Sequence, residues 1–212
     1  MRISHKHKFI FIAIPKTGST SVRKNLDRFS NIKSKSDKPP YNYHGKSKEV
    51  KKHFCQMDWQ WEKYYKFTFV RNTYERICSE YEWRLKHFPK FPRLTFTEYV
   101  NHIEPIINYE NPGNIYPDHL IDSIVTHLQP QHTFIYSDNG ECLLDYIGKY
   151  ENLQSNYSNV CNQLCIPMKK LPWRNRTSRK PCAHYYTKET KDIVSRLYME
   201  DIERFEYRFP DN

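Results

Sequence analysis

The sequence predicts an α/β fold, a parallel sheet flanked by helices, in a single domain over residues 1–212. Three observations lead there. A chain of 212 residues suits one domain with a sizeable core. Two short apolar runs, FIFIAI at residues 9–14 and YKFTFV at residues 65–70, read as buried strands. Each runs into a short polar segment and then an amphipathic helical pattern, so the strand–turn–helix unit occurs twice.

In the first unit, Pro15 ends the strand because proline cannot continue a central ladder. Lys16-Thr17-Gly18-Ser19-Thr20-Ser21 is a hydroxyl-rich loop, and SVRKNLDRF after it carries Val22, Leu26 and Phe29 on one helical face. A strand, a polar loop and a helix in this order aim backbone N–H groups and a helix N-terminus at one spot, a ready site for phosphate or sulfate. The loop is not a Walker A sequence, which places its lysine after a second glycine; here Lys16 precedes the only glycine. An ordinary βα turn with a helix cap is the plain alternative.

The string PKTGSTS resembles the 5′-phosphosulfate loop of sulfotransferases that use 3′-phosphoadenosine 5′-phosphosulfate (PAPS). Within that family it is similar to the carbohydrate-acting group, whose loop approximates IPKTGGTS; Ser19 stands at that pattern's second glycine. The resemblance implies a P-loop-like sheet. It also implies that Lys16, Thr17, Gly18, Ser19, Thr20 and Ser21 bind the 5′-phosphate, with Lys16 neutralising charge on the leaving group.

Asn31 to Gly45 is polar, contains a Pro-Pro pair, and reads as a flexible loop. KSKEVKKHF, residues 46–54, reads as a short basic helix or turn. HGKSKEVKKHF resembles a family segment in which a histidine precedes a short helix. Its loop position and that resemblance make His44 the first choice of general base, since an unperturbed imidazole titrates near about 6.5. An exposed loop histidine is the plain alternative; His119, Glu80 and Glu82 are fallback bases.

In the second unit, the strand at residues 65–70 runs into Arg71-Asn72 and the helical pattern TYERICSEYEWRLKHF. Tyr74, Ile77, Cys78, Tyr81 and Leu85 fall on one face. FVRNTYERICSEYEW resembles the family's 3′-phosphate motif, approximately FVRNPYDRLVSAYRY. The resemblance implies that Arg71 and Ser79 bind the 3′-phosphate; Arg76 matches a further family position, and Thr73 replaces the usual proline. Arginine suits phosphate because its planar fork binds it bidentately. Surface salt bridges from Arg71 and Arg76 to Glu75 or Glu80 are the alternative.

Residues 94–103 read as a short helix, and residues 104–118, rich in proline, as a loop of the kind that shapes an acceptor site. Residues 132–136 read as a strand, Asp138-Asn139-Gly140 as a hairpin turn, and residues 142–150 as the return strand. Residues 151–165 read as helix, with Glu151 a structural acid at its N-terminus; KYENL there resembles the family's RYENL. The densest basic cluster, LPWRNRTSRKP at residues 171–181, sits where family members carry a loop over the cofactor. That resemblance adds Arg176, Thr177 and Arg179 to the cofactor ligands; a solvated basic loop is the alternative. The last segment is an amphipathic helix, with Ile193, Val194, Leu197, Tyr198, Ile202 and Phe205 as the stripe expected to pack on the sheet.

A net charge of +10 implies an anionic partner. The cations are spread among acids without a long basic run, which places nucleic acid below a nucleotide or a glycan. No stretch reaches the roughly 18 apolar residues of a membrane span. The basic head before residues 9–14 mimics a signal peptide, but the apolar run is short and no small-residue cleavage site follows, so it reads as the first strand of a cytoplasmic enzyme. The six cysteines read as free thiols, Cys161 and Cys165 as neighbours on one helix face, and no metal is expected. Trp59, Trp61 and Trp173 are the aromatic side chains that could stack on adenine.

Together these features are identified with a PAPS-dependent sulfotransferase (EC 2.8.2 class). It would move a sulfuryl group by in-line displacement to a hydroxyl of an acceptor, by resemblance a carbohydrate. Two alternatives stand beside it: a P-loop-like nucleotide kinase or NTPase, and a non-catalytic module for an anionic glycan or nucleic acid.

Overall fold

The computed structural model describes residues 1–34, 43–172 and 180–210. In chain order the regular elements are β1 (Arg2–Ser4), β2 (Phe9–Phe11), α1 (Ser19–Leu26), β3 (Ile32–Lys33), α2 (Ser47–Gln56), β4 (Tyr65–Val70), α3 (Thr73–His87), α4 (Phe96–Asn101), α5 (Ile103–Ile107), α6 (Asp118–Leu128), β5 (Tyr146–Lys149), α7 (Leu153–Gln163), α8 (Lys188–Leu197) and α9 (Met199–Arg204). They gather into two compact units. A sheet unit comprises Met1–Arg71 with Gln131–Arg174, and a helical unit comprises Asn72–Pro130 with Asn175–Asn212.

The sheet has the order β3-β1-β2-β4-β5. β2, β4 and β5 run parallel, with Phe11 opposite Phe67 and Val70 opposite Lys149. Pairing continues past the end of β2, where the Ile12 N–H donates to Phe67 O at 3.0 Å and Thr68 Oγ1 donates to Ile12 O at 2.7 Å. Alternate residues Phe9, Phe11, Phe67 and Phe69 share one face and pack with Val22 and Leu26 of α1 and Tyr157 and Val160 of α7. Ile10 and Ile12 are equally buried, so both faces are covered and the strand reads as a continuous apolar run. Gly148 of β5 lies opposite Phe69, and a Cβ there would stand 2.7 Å from the Phe69 ring. A side chain at this position and the packed phenylalanine exclude each other.

The sheet is mixed rather than wholly parallel. β1 pairs antiparallel with both β2 and β3, adding an edge from residues that read as a basic head and as a flexible loop. An arginine lies in β1 because its guanidinium is met locally: Arg2 Nε donates to Asp27 and Nη1 to Met1 O. The strand expected at residues 132–136 is instead a 3-10 turn, Gln131–Phe134, whose carbonyl at His132 takes the N–H groups of Ile135 and Tyr136. Only Tyr136 and Cys142 bridge across the tight 137–141 turn. The return run therefore pairs with β4, in parallel, from Tyr146 onward.

In the helical unit α3, α4, α5, α6 and α8 share one core, built on Tyr74, Ile77, Tyr81, Tyr99, Ile124 and Tyr198. Leu85 is 37% exposed and does not belong to it. The inward face of α3 continues through Arg84, which is fully buried because Glu80 accepts from its Nε at 2.6 Å and the Ser123 carbonyl from its Nη2 at 3.0 Å. His127 Nδ1 meets the other Glu80 oxygen at 2.9 Å. The C-terminal stripe packs here, in the helical core through Val194 and Tyr198, and not on the sheet as its amphipathic pattern suggested. It forms two helices, α8 and α9, that part at Tyr198, whose hydroxyl donates to Leu128 O at 2.7 Å. The stretch read as loop at residues 104–118 contains most of α5. Among the described residues none of the cysteines is joined in a disulfide. Cys78 Sγ lies 3.2 Å from Cys182 Sγ. Cys161 is buried in α7, whereas Cys165 lies beyond that helix at φ 51°, exposed, so the two do not share a helix face.

Candidate active site

The sheet unit delivers polar groups at the carboxyl ends of three neighbouring parallel strands, where α/β sheets bind their ligands. After β2 the chain makes two left-handed turns, at Lys16 (φ 65°) and Gly18 (φ 75°). Glycine is required at the second. Its φ is positive, and a Cβ would meet Leu153 Cδ2 at 2.6 Å and the Tyr150 ring at 3.1 Å. Thr17 points inward and donates its hydroxyl proton to Ile14 O at 3.0 Å, closing the loop on itself. Ser19 opens α1 with helical backbone, so serine replaces the pattern's glycine without strain.

α1 has neither a side-chain cap nor an acid in its first turn. Its positive end is therefore left for an anion, with the Ser19 and Thr20 N–H groups at its head. The Ser21 and Val22 N–H groups turn back to Gly18 O, and the Ser21 hydroxyl donates to Pro172 O at 2.7 Å. One turn on, Arg23 donates to Thr20 Oγ1 and lies 4.2 Å from the Tyr43 ring centre; burial pulls its guanidinium down to about 10.

Arg71 directly follows β4 and Tyr150 directly follows β5. Because Val70 and Lys149 are partners in register, the next residues are neighbours too, and the Arg71 guanidinium lies 4.3 Å from the centre of the Tyr150 ring. Arg71 Nη1 donates to Lys16 O at 3.3 Å, so the loop after β2 and the arginine after β4 meet. The backbone of Arg71 is clasped by Gln131: its N–H donates to Gln131 Oε1 and its carbonyl accepts from Gln131 Nε2, both at 2.9 Å.

His44 Nδ1 lies 2.5 Å from Ala13 O. A carbonyl only accepts, so Nδ1 carries the proton and Nε2 is the basic atom of the neutral ring. His44 is thereby fixed to the strand that leads into the loop.

Other sequence-derived residues have other surroundings. Ser79 is partly exposed on α3 in the helical unit. Arg76 is fully buried and donates to the His127 and Gln129 carbonyls at 2.9 Å each, clasping α3 to the end of α6. Glu80 is enclosed with Arg84 and His127, and Glu82 accepts from the Tyr185 hydroxyl. His119 is exposed on α6. Trp61 is buried edge-on to Phe54, a core contact and not a platform for a base, and Trp59 packs against His5 and Phe54. Trp173, Arg176, Thr177 and Arg179 lie outside the described residues. Among the described residues no cluster of three or more His, Cys, Asp or Glu is arranged to hold a metal ion, and no helix is long and apolar enough to cross a membrane.

Sequence reasoning missed Tyr150 and Gln131. The available signal was the strand pairing: a strand ending at Lys149 beside one ending at Val70 puts Tyr150 next to Arg71.

The family model described as "Sulfotransferase family" matches residues 1–208. The chain is also similar to carbohydrate sulfotransferase 10 of Xenopus laevis, with 23% identity over 250 residues, covering 98% of this chain and 67% of that protein. No solved structure matches it. The anion-ready loop and its arginine neighbour thus lie in a chain matched almost end to end: this protein belongs to the sulfotransferase family and is a sulfotransferase enzyme of the EC 2.8.2 class.

Proposed function

We propose that this enzyme takes the sulfuryl group from PAPS and transfers it to a hydroxyl of a carbohydrate, with residues 1–212 acting as one catalytic domain. The observation that carries the donor assignment is the Arg71–Lys16 contact, which joins a phosphate-type loop and an arginine fork at adjacent strand ends. A nucleotide with one phosphate at each end of its ribose matches such a divided site. The family match supports the single domain, since it crosses both compact units unbroken. The named relative supports the carbohydrate acceptor.

The donor set fits the nucleotide. The N-terminus of α1, the backbone from Thr17 to Thr20 and the Lys16 side chain would hold the 5′-phosphate, and Arg71 the 3′-phosphate. Thr17 contributes chiefly its backbone N–H, because its hydroxyl proton is donated to Ile14 O, whereas Ser21 has its N–H turned to Gly18 O and its hydroxyl proton donated to Pro172 O and is assigned to the 5′-phosphate by its motif alone. Ser79 is assigned to the 3′-phosphate by its motif alone, as Arg176, Thr177 and Arg179 are to the cofactor. When bound, PAPS supplies a sulfuryl group whose leaving group is the 5′-phosphate of adenosine 3′,5′-bisphosphate. The Lys16 ammonium offsets the charge that develops on that leaving group. His44 Nε2 takes the proton of the attacking hydroxyl, and the Ala13 carbonyl keeps the ring in the tautomer this requires.

The test is transfer of label from sulfur-labelled PAPS to a panel of glycans, peptides and phenols. Incorporation into a glycan that disappears in Lys16→Ala and His44→Ala supports the reading. Label found only on peptides or phenols overturns the acceptor class, and no label on any acceptor overturns the donor.

A further inference from the structure

We propose that Tyr150 and Gln131 are positioning residues that fix the Arg71 fork against the Lys16–Gly18 loop and so set the preference for a 3′-phosphorylated nucleotide. This inference rests on the assignment of Arg71 to the 3′-phosphate.

Tyr150 touches both halves of the site. Its ring carries the Arg71 guanidinium at 4.3 Å, and the same ring stands 3.1 Å from where a Gly18 Cβ would be. A long arginine side chain at a strand end has many rotamers, and holding one of them costs free energy. The aromatic face removes most of that freedom before ligand arrives, and it leaves the in-plane N–H donors at the rim of the guanidinium. Because Gly18 has no side chain, the ring also limits how closely the loop approaches Arg71. One side chain therefore governs the spacing between the two anion-binding elements.

Gln131 acts on the other end of the same residue. It is fully buried, and its amide donates to and accepts from the Arg71 backbone as a further strand would. The β4 ladder ends with the Val70–Lys149 pair, so this clasp extends the fixed backbone by the one residue that bears the fork.

The experiment is calorimetric binding of adenosine 3′,5′-bisphosphate and of adenosine 5′-monophosphate to wild type, Tyr150→Leu, Tyr150→Phe, Gln131→Met and Arg71→Ala, with a thermal melt of each. The expected result for Tyr150→Leu is about tenfold weaker bisphosphate binding with monophosphate binding within about twofold, as expected from losing roughly 1.4 kcal/mol of orientation. Tyr150→Phe keeps the wild-type ratio, since the ring face is retained. Gln131→Met, which keeps the volume and loses both hydrogen bonds, lowers the ratio in the same direction. A merely structural role moves both ligands together and leaves the ratio unchanged; that outcome in Tyr150→Leu and Gln131→Met overturns the inference. If Arg71→Ala itself leaves the ratio intact, the assignment of the 3′-phosphate fails first.

Discussion

At the residue scale, the proposed chemistry depends on a few side chains whose environments differ sharply. His44 is held by one carbonyl in a single tautomer. His44→Ala is expected to lower turnover about 100-fold or more, the usual contribution of a positioned base, while binding of adenosine 3′,5′-bisphosphate stays within about twofold. Rate and calorimetric measurements on the same preparation check this, and a parallel loss of both would assign His44 to the fold instead. Gly18→Ala meets two obstacles, a left-handed φ and a side chain already in the way. It is expected to cost about 1–3 kcal/mol in denaturant unfolding and to weaken nucleotide binding as well. The residue scale is also where sequence reading was least complete. Lys16, Gly18, Arg71 and His44 stand out in the sequence because their types and order match a known pattern. Tyr150 does not, because its role comes from strand register. Gln131 does not, because nothing in a lone glutamine shows that its amide will pair with a backbone 60 residues away.

At the scale of elements, the two strand–turn–helix units were legible because apolar runs and helical stripes are local patterns. β4 has the bounds its composition indicates, and α1 starts two residues before the SVRKNLDRF pattern because Ser19 and Thr20 take helical backbone. The antiparallel strands β1 and β3 have only three and two residues, too short for a periodic signal. The residues at 132–136 carry strand-like composition, but local turn bonds satisfy their N–H groups first. Two substitutions test the packing account. Gly148→Ala drives a methyl into the Phe69 ring and is expected to destabilise the protein by about 1–3 kcal/mol in chemical denaturation. Glu80→Ala removes a carboxylate that meets both Arg84 and His127 inside the helical unit, taking the counter-charge from the buried Arg84; about 3–5 kcal/mol is expected. A change under about 1 kcal/mol at either site would contradict the corresponding packing.

At the scale of the whole molecule, burial acts most visibly on tyrosine. Tyr99, Tyr116, Tyr157, Tyr186 and Tyr198 are all pushed above the ordinary phenol value of 10.0, in each case chiefly by burial. Above that pH the unfolded chain loses protons that the folded chain keeps, so stability, complete below pH 10, falls as pH rises. Each such tyrosine adds a slope of about 1.4 kcal/mol per pH unit. Unfolding free energy is therefore expected to drop steeply above pH 10, and the phenolate absorbance of these side chains should appear only as the protein unfolds. Prompt, reversible titration of all 17 tyrosines near pH 10 would contradict the packing of both cores.

The proposed nucleotide site joins a loop after one strand to an arginine after its neighbour, for a ligand phosphorylated at both ends. The most direct measurement is the ratio of affinities for adenosine 3′,5′-bisphosphate and adenosine 5′-monophosphate in wild type and Arg71→Ala, with ATP and magnesium as a further ligand. A strong wild-type preference for the bisphosphate that collapses in Arg71→Ala is the predicted result. Equal binding of the two adenosine nucleotides by wild type, or tighter binding of ATP with magnesium, would contradict it.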